Sequence, residues 1–153
     1  MPNLVHNTLS IQFDDEKEFN NFIKKIKKVK NTGTETFYSL AYSLFPPSIE
    51  DKKDEYMWTI ENYGGKWGDW YTETKHMHRS NKAVYVFDSA WAPLLTLAER
   101  INELLEREVS LNFWSLDNMN EGVITWSRDL EIIEDEYRDI NYEDLEMVPY
   151  EEE

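Results

Sequence analysis

Residues 83–114, AVYVFDSAWAPLLTLAERINELLEREVSLNFW, decide the fold, because they contain a strand, a helix and a second strand in succession. Their first part, Ala83 to Asp88, is an apolar strand, and Pro93 has the φ angle that suits the first turn of a helix. Apolar residues then recur at helical spacing, as Leu94, Leu97, Ala98, Ile101, Leu104 and Leu105. The second strand has buried and outward positions in alternation, Val109, Leu111 and Phe113 against Ser110, Asn112 and Trp114.

The first half of the chain has the same order of elements. Apolar and polar residues alternate from Val5 to Phe13, which predicts a strand. Helical spacing then predicts a helix that begins after Asp14-Asp15, continues through Val29 and ends at Asn31-Thr32-Gly33, with five lysines in its late turns. A further alternation over residues 38–44 predicts the next strand.

Two segments lie outside this pattern. Residues 46–82 are expected to form an insertion that contains a helix over residues 49–63 and an extended segment over residues 69–78. Near the end of the chain a strand is predicted over residues 123–127. Leu130 to Ile133 could pair back onto it as a strand, although a short helix also fits the spacing of Leu130, Ile133, Tyr137 and Ile140.

Together these elements predict an α+β class. Strand–helix–strand followed by strand–helix–strand is the βαββαβ order of a ferredoxin-like fold, in which helices cover one face of an antiparallel sheet. We therefore expect a ferredoxin-like domain over residues 1–128, with its insertion at 46–82. Residues 129–153 are expected to be an acidic C-terminal extension of the same domain.

The negative charge lies in the second half of the chain. The formal net charge is −15, although residues 1–82 hold twelve Lys or Arg and twelve Asp or Glu. Residues 83–153 hold four Arg and nineteen Asp or Glu, and twelve of these acids lie within residues 129–153. Such a surface repels nucleic acid, because binding to phosphates needs clustered Lys and Arg. It attracts basic proteins instead.

Composition excludes several classes of function. The chain has no cysteine, so thiolate metal sites and cysteine nucleophiles are ruled out. No apolar run approaches the length of about 20 residues that spans a bilayer, and the first residues do not resemble a signal peptide. His76 and His78 are flanked by Lys75 and Arg79, which disfavour a metal ion. We expect a cytoplasmic protein with no membrane contact, cofactor, metal site or catalytic residue.

Three segments of the chain resemble the YubB-type ferredoxin-like family, whose members are carried by phages and conjugative plasmids. They are Met1-Pro2-Asn3 with Asn7-x-Leu9-x-Ile11, the stretch WTIENYGGKWG from Trp58 to Gly68, and the stretch FDSAWAP from Phe87 to Pro93. The resemblance covers about residues 1–115, but Leu4-Val5 replaces the Trp-Cys of the family pattern. It implies a ferredoxin-like fold, a mobile-element context and the cytoplasm of the host. It implies no catalytic residues.

The second and third of these segments suggest two different roles for their aromatic and polar side chains. One hypothesis is a pocket in which aromatic rings stack on a flat ligand or a sugar. Its residues would be Trp58, Glu61, Asn62, Lys66, Trp67, Asp88 and Trp91. The alternative is structural: the rings pack the insertion against the sheet, Asn62 with Gly64 caps one helix, and Asp88 or Ser89 caps another.

The preferred functional hypothesis is protein binding through the acidic extension. Carboxylates held close together on a rigid body would imitate DNA and occupy the basic surface of a host nucleic-acid-binding protein, such as a defence (for example CRISPR) or DNA-processing protein. The proposed contact residues are Glu131, Glu134, Asp135, Glu136, Asp139, Glu143 and Asp144.

Two alternatives stay open. The first is a small-ligand-binding protein or enzyme that uses the pocket described above. The second is a self-assembling structural module, such as a homodimer, in which exposed sheet edges pair between copies. A partly disordered tail that only increases solubility would remove the basis of the preferred hypothesis.

Overall fold

The computed structural model describes residues 3–30, 36–47, 52–77 and 80–141. The strands and helices, in chain order, are β1 (Leu4–Gln12), α1 (Glu16–Ile23), β2 (Lys27–Lys30), β3 (Thr36–Ser39), α2 (Leu40–Leu44), α3 (Lys52–Tyr63), β4 (Lys66–Met77), β5 (Lys82–Ala90), α4 (Leu95–Leu105), β6 (Val109–Ser115), β7 (Asn120–Trp126) and β8 (Ile132–Asp139). This mixture of helices and strands confirms the α+β class predicted from the sequence.

The strands form one eight-stranded sheet in the order β2-β3-β4-β5-β1-β6-β7-β8. Each strand is antiparallel to its neighbours. β1 lies in the interior of the sheet, where it pairs with β5 along its whole length and with β6 from His6 to Ile11. Successive side chains of a strand point to opposite faces. In β1 the odd-numbered residues are buried and the even-numbered ones are partly exposed, so the sheet has a buried inner face and an outer face.

All four helices contribute to one hydrophobic core on the inner face. The sheet supplies Leu9, Ile11, Tyr85, Phe87, Val109 and Leu111. The helices supply Phe19, Phe22, Leu40, Ala41, Tyr63, Leu97, Ala98 and Ile101. Burying each large apolar side chain contributes about 1.5–3 kcal/mol, so the alternation of β1, β5 and β6 determines which face the helices cover.

The predicted helix through Val29 is wrong in its second half. α1 ends at Ile23, and Lys27–Lys30 form β2, in which Val29 lies opposite Phe37 of β3. Ile26 is buried, so its spacing from Phe22 matches a helix although it lies in the connection between α1 and β2. Pairing with β3 therefore overrides the helical pattern here, as tertiary context commonly does for weakly helical sequences.

The predicted strand over residues 38–44 is only partly correct. The strand ends at Ser39, and Leu40–Leu44 form α2, with the Ser39 side chain accepting a hydrogen bond from the Tyr42 N–H at 3.0 Å. Residues 46–82, which we expect to be an insertion, contain α3 and β4, and β4 lies in the sheet between β3 and β5.

The buried carboxylate of Asp69 connects β4 to the start of α2. It accepts hydrogen bonds from the Ser39 hydroxyl at 2.6 Å and from the backbone N–H groups of Leu40 at 2.8 Å and Ala41 at 3.2 Å. The Thr72 hydroxyl donates a fourth hydrogen bond. Burial raises the pKa of Asp69, and the hydrogen bonds lower it in part. Four donors thus depend on a single side chain for their acceptor.

We predict that Asp69→Ala lowers the free energy of unfolding by about 3 kcal/mol, because buried donors lose their acceptor. Glu61→Ala, which removes an exposed carboxylate from α3, should change it by less than about 0.5 kcal/mol. Urea denaturation followed by circular dichroism measures both values. Equal stability of the two variants would show that the Asp69 hydrogen bonds contribute nothing.

Candidate protein-binding edge

β8 is the last strand of the described sheet, and all eight of its residues are exposed. Exposure on both faces means that none of the described helices covers this strand. Its neighbour β7 is covered only in part, with Trp126 and Thr125 buried. We call Glu131 together with β8 the acidic edge, since its exposed residues include five carboxylates and a single arginine.

The acidic edge is held in a fixed register. A hairpin joins it to β7, with the Ser127 N–H donating to the Glu131 carbonyl at 2.7 Å. A β-bulge lies beside Trp126 and Thr125, after which pairing continues to Asn120 opposite Asp139. Residues 132–139 are therefore a strand that pairs back onto β7. The sequence alternative of a strand over residues 130–133 is right about this pairing but not about its bounds, and the helix alternative is wrong.

The structure places five of the seven predicted contact residues on this edge. Glu131, Glu134, Asp135, Glu136 and Asp139 are all exposed there. Glu143 and Asp144 lie outside the described residues. Along β8, Glu134 and Glu136 lie opposite Thr125 and Val123 on the outer face, whereas Asp135 and Asp139 lie on the inner face. The Thr125 hydroxyl donates to Glu134 at 3.0 Å, which helps to orient that carboxylate.

Arginines of the second half of the chain do not all neutralise its acids. Arg107 forms a two-pronged ion pair with Glu18, with its Nη2 atom 2.9 Å from Oε2, and this hydrogen-bonded pair raises the pKa of Arg107. Arg128 binds Asp14 through Nη2 at 3.0 Å. Arg138 pairs with Glu121 within the β7–β8 hairpin. Two of the four arginines thus bind acids of the first half and leave much of the C-terminal charge in place.

α4 adds exposed carboxylates at positions that are unfavourable for its stability. Glu99, Glu103 and Glu106 recur at helical spacing and are exposed. The last two lie at the negative C-terminal end of the helix dipole, where anions are disfavoured. Glu106 also has the left-handed conformation, with a φ angle of 51°, that glycine adopts more easily.

Gly122 allows β8 to lie close to β7 and β6. A Cβ atom at this position would lie 2.5 Å from Cζ of Phe113 and 2.7 Å from the backbone carbonyl oxygen of Glu136. The second neighbour is backbone and cannot move aside as a flexible side chain would. Glycine at position 122 is therefore required for β8 to pair with β7 at this distance.

The outer face carries a cluster of side chains that sequence reasoning missed. His6 Nδ1 lies 2.6 Å from Asp88 Oδ1, and the His6 ring lies against Trp114 with 4.2 Å between ring centroids. Beside Trp114 is a depression of about 550 Å³ lined by Thr8, Asn112, Trp114, Glu121, Val123 and Glu136. The alternation of Trp114 with buried Phe113 was the signal in the sequence that places this ring outward.

The described members of the predicted aromatic pocket do not converge. Trp58 and Asn62 lie on α3 at the inner face, where Asn62 donates to the Trp58 carbonyl at 2.9 Å. Asp88 lies on the outer face with His6, on the other side of the sheet. Glu61 and Trp91 are exposed. The side chains of Lys66 and Trp67 lie outside the described residues.

Comparison with known proteins gives no relative from which a function can be transferred. No protein-family model matches the chain, and no curated protein and no solved structure is significantly similar to it. Within the described ranges, no helix is long and apolar enough to cross a bilayer, and no three His, Asp or Glu side chains are grouped for a metal ion. The candidate site therefore rests on geometry and charge.

We predict that Gly122→Ala loosens β8 and lowers the free energy of unfolding by about 2 kcal/mol, a usual cost of overpacking. Relative to the wild-type protein, hydrogen exchange should accelerate more at the β8 amides than at the β1 amides. Val123→Ala, which removes atoms from the neighbouring residue, is the control and should retain the β8 protection. Unchanged exchange in Gly122→Ala would contradict the close contact with Glu136.

We predict that Glu106→Gly raises the free energy of unfolding by about 1 kcal/mol, because glycine adopts the left-handed conformation without steric cost. Glu103→Gly removes the same charge from within α4 and should lower this free energy by about 1 kcal/mol. Urea denaturation of the two variants measures the opposite signs. Destabilisation by both changes would show that the backbone conformation of Glu106 carries no strain.

Proposed function

We propose that this chain is an accessory protein of a phage or plasmid that acts by binding another protein. Its acidic edge would occupy the basic nucleic-acid-binding site of a host defence or DNA-processing protein. The observation that carries this proposal is an ordered strand, exposed on both faces, that holds four carboxylates and one arginine. Carboxylates on a hydrogen-bonded strand lose less conformational freedom on binding than carboxylates on a disordered tail.

The charge density of β8 is lower than that of the DNA it would replace. β8 spans about 26 Å at about 3.3 Å per residue, so its net charge of −3 gives about one charge per 9 Å. Duplex DNA has one charge per about 1.7 Å of its axis. Replacing DNA in a basic site therefore requires the acids of α4 in addition to those of β8. Glu99, Glu103 and Glu106 of α4 are exposed, and α4 lies on the same side of the sheet as Asp135 and Asp139.

The order of the central strands supports a ferredoxin-like topology. β4, β5, β1 and β6 are neighbours in that order, and each is antiparallel to the next. β1 and β4 are consequently parallel to each other with β5 between them, and β5 and β6 are parallel with β1 between them. Two interleaved split βαβ units of this kind make a ferredoxin-like sheet. This agrees with the resemblance to the YubB-type family and with a mobile-element origin.

We predict that Glu134→Gln/Glu136→Gln weakens binding to a short peptide of alternating lysine and valine by about fivefold to tenfold. This corresponds to about 1 kcal/mol, within the range of exposed ion pairs. Glu16→Gln/Glu61→Gln removes the same charge from exposed positions on α1 and α3 and is the matched control. Isothermal titration calorimetry measures both affinities at low and at high salt.

The control separates a site from a general charge effect. Equal weakening in both double variants would show that only net charge matters, and the acidic edge would lose its role. For a natural partner, the immobilised protein can capture basic proteins from a bacterial lysate, and these should elute as ionic strength rises. A captured DNA-binding protein that still binds duplex DNA when saturated with this chain would contradict occupation of its DNA site.

A further inference from the structure

The register of β8 identifies which of its backbone groups point away from β7. The Ile140 N–H donates to the Met119 carbonyl at 2.8 Å, next to the pair of Asn120 and Asp139. In an antiparallel ladder, bonded and non-bonded pairs alternate. The N–H and C=O groups of Glu134, Glu136 and Arg138 therefore point toward β7. The alternating residues Asp135, Tyr137 and Asp139 direct their N–H and C=O groups to the other side, away from β7.

The opposite edge of the sheet is different. β2 has four residues, and the Lys27 N–H donates to the Ser43 hydroxyl of α2 at 2.8 Å. The same hydroxyl donates to the Lys27 carbonyl at 3.4 Å, so both backbone groups of Lys27 have a side-chain partner. β8 has eight residues, and no strand lies beyond it among the described residues. An edge of this length is a site at which an extended segment can add.

We propose that the partner binds by adding a basic extended segment as a further antiparallel strand along β8. This inference rests on the proposed function and specifies its geometry. The outward backbone groups of Asp135, Tyr137 and Asp139 would form the ladder. Lysine or arginine side chains at alternate positions of the segment would lie opposite Glu134 and Glu136 on the outer face, where opposite charges on directly paired residues attract.

A second copy of this chain fits the same edge less well. Each β8 has four carboxylates against one arginine, so two such strands repel each other. In a symmetric antiparallel pair centred on Tyr137, Asp135 of one copy would face Asp139 of the other. A basic segment has the complementary charge at the four carboxylates of β8, whereas Arg138 is paired with Glu121 of β7.

The substitution Tyr137→Pro tests the strand addition by changing the protein and leaving the peptide unaltered. Proline removes the outward N–H, while the ladder to β7 remains, as is usual for proline in edge strands. Tyr137→Ala removes the same side chain, including its hydroxyl contacts to Asn120 and Asp139, but retains the N–H. Binding of the lysine–valine peptide should weaken by about tenfold or more in Tyr137→Pro and by less than about threefold in Tyr137→Ala. Circular dichroism and hydrogen exchange show whether both variants keep β8.

A second measurement uses the wild-type protein and alters the peptide. In the antiparallel register, residues opposite Asp135 and Tyr137 direct their N–H groups toward β8, and residues opposite Glu134 and Glu136 direct theirs away. When lysines lie opposite the glutamates, N-methylation of the valines should abolish binding. N-methylation of the lysines should leave it within about threefold.

The outcomes separate this inference from the proposed function. Equal binding by Tyr137→Pro and Tyr137→Ala, and by the two methylated peptides, would overturn the strand addition. If Glu134→Gln/Glu136→Gln still weakened binding in that case, the acidic edge would stand as an electrostatic surface. A dimer in light scattering that Tyr137→Pro dissociates would also overturn the inference, because a second copy would then occupy the edge.

Discussion

The pairing of β8 onto β7, at the margin of the sheet, is the interaction on which the candidate site depends. It converts an acidic segment into a strand with a defined register from Asn120 opposite Asp139 to Thr125 opposite Glu134. Gly122 makes this pairing possible, since any side chain there would meet Phe113 and the carbonyl of Glu136. None of the described helices covers β8, and its side chains are exposed on both faces of the sheet.

The distribution of charge is connected to stability. Arg107 and Arg128 fix the N-terminal end of α1 to the second half of the molecule through Asp14 and Glu18. The same ion pairs leave the acids of β8 without those two arginines. At the end of α4, Glu106 has a left-handed backbone conformation that glycine adopts more easily, and a negative charge that the C-terminal end of the helix dipole disfavours. The Arg107 guanidinium donates to the Glu106 carbonyl at 2.9 Å, which offsets part of this cost.

The sequence predicts elements with a regular spacing of apolar residues better than it predicts the segments around them. β1, β5, α4 and β6 lie where periodicity places them, because a core on one face enforces a fixed spacing of apolar residues. The end of α1 was missed because Ile26 and Val29 fit a helical pattern, although Val29 pairs opposite Phe37. The start of α2 at Leu40 was missed because apolar alternation continues to Leu44, although its N-cap, Ser39, is local. The Asp69 carboxylate, which accepts from the Leu40 N–H, is distant in sequence and no local pattern contains it.

The candidate site was predictable in part. Residues that are close in sequence, such as Trp58 and Asn62, were grouped with Asp88, yet the sheet separates them because α3 and the outward positions of β5 face opposite sides. For the acidic segment, charge alone identified the residues, and the exposed apolar positions of β8 left strand and helix equally compatible with the pattern. Pairing with β7 resolves that ambiguity through contacts that no local pattern contains.

The two edges of the sheet avoid uncontrolled pairing by different means. β2 is short, and Ser43 satisfies the backbone N–H and carbonyl of Lys27. β8 is long and has no such cover among the described residues, so charge is its protection: carboxylates on both faces repel another copy of the same strand. That protection acts against acidic strands and not against basic ones. In the proposed strand addition, the carboxylates that disfavour pairing with a second copy would also favour a partner of opposite charge, so one feature of the sequence would act against one partner and for another.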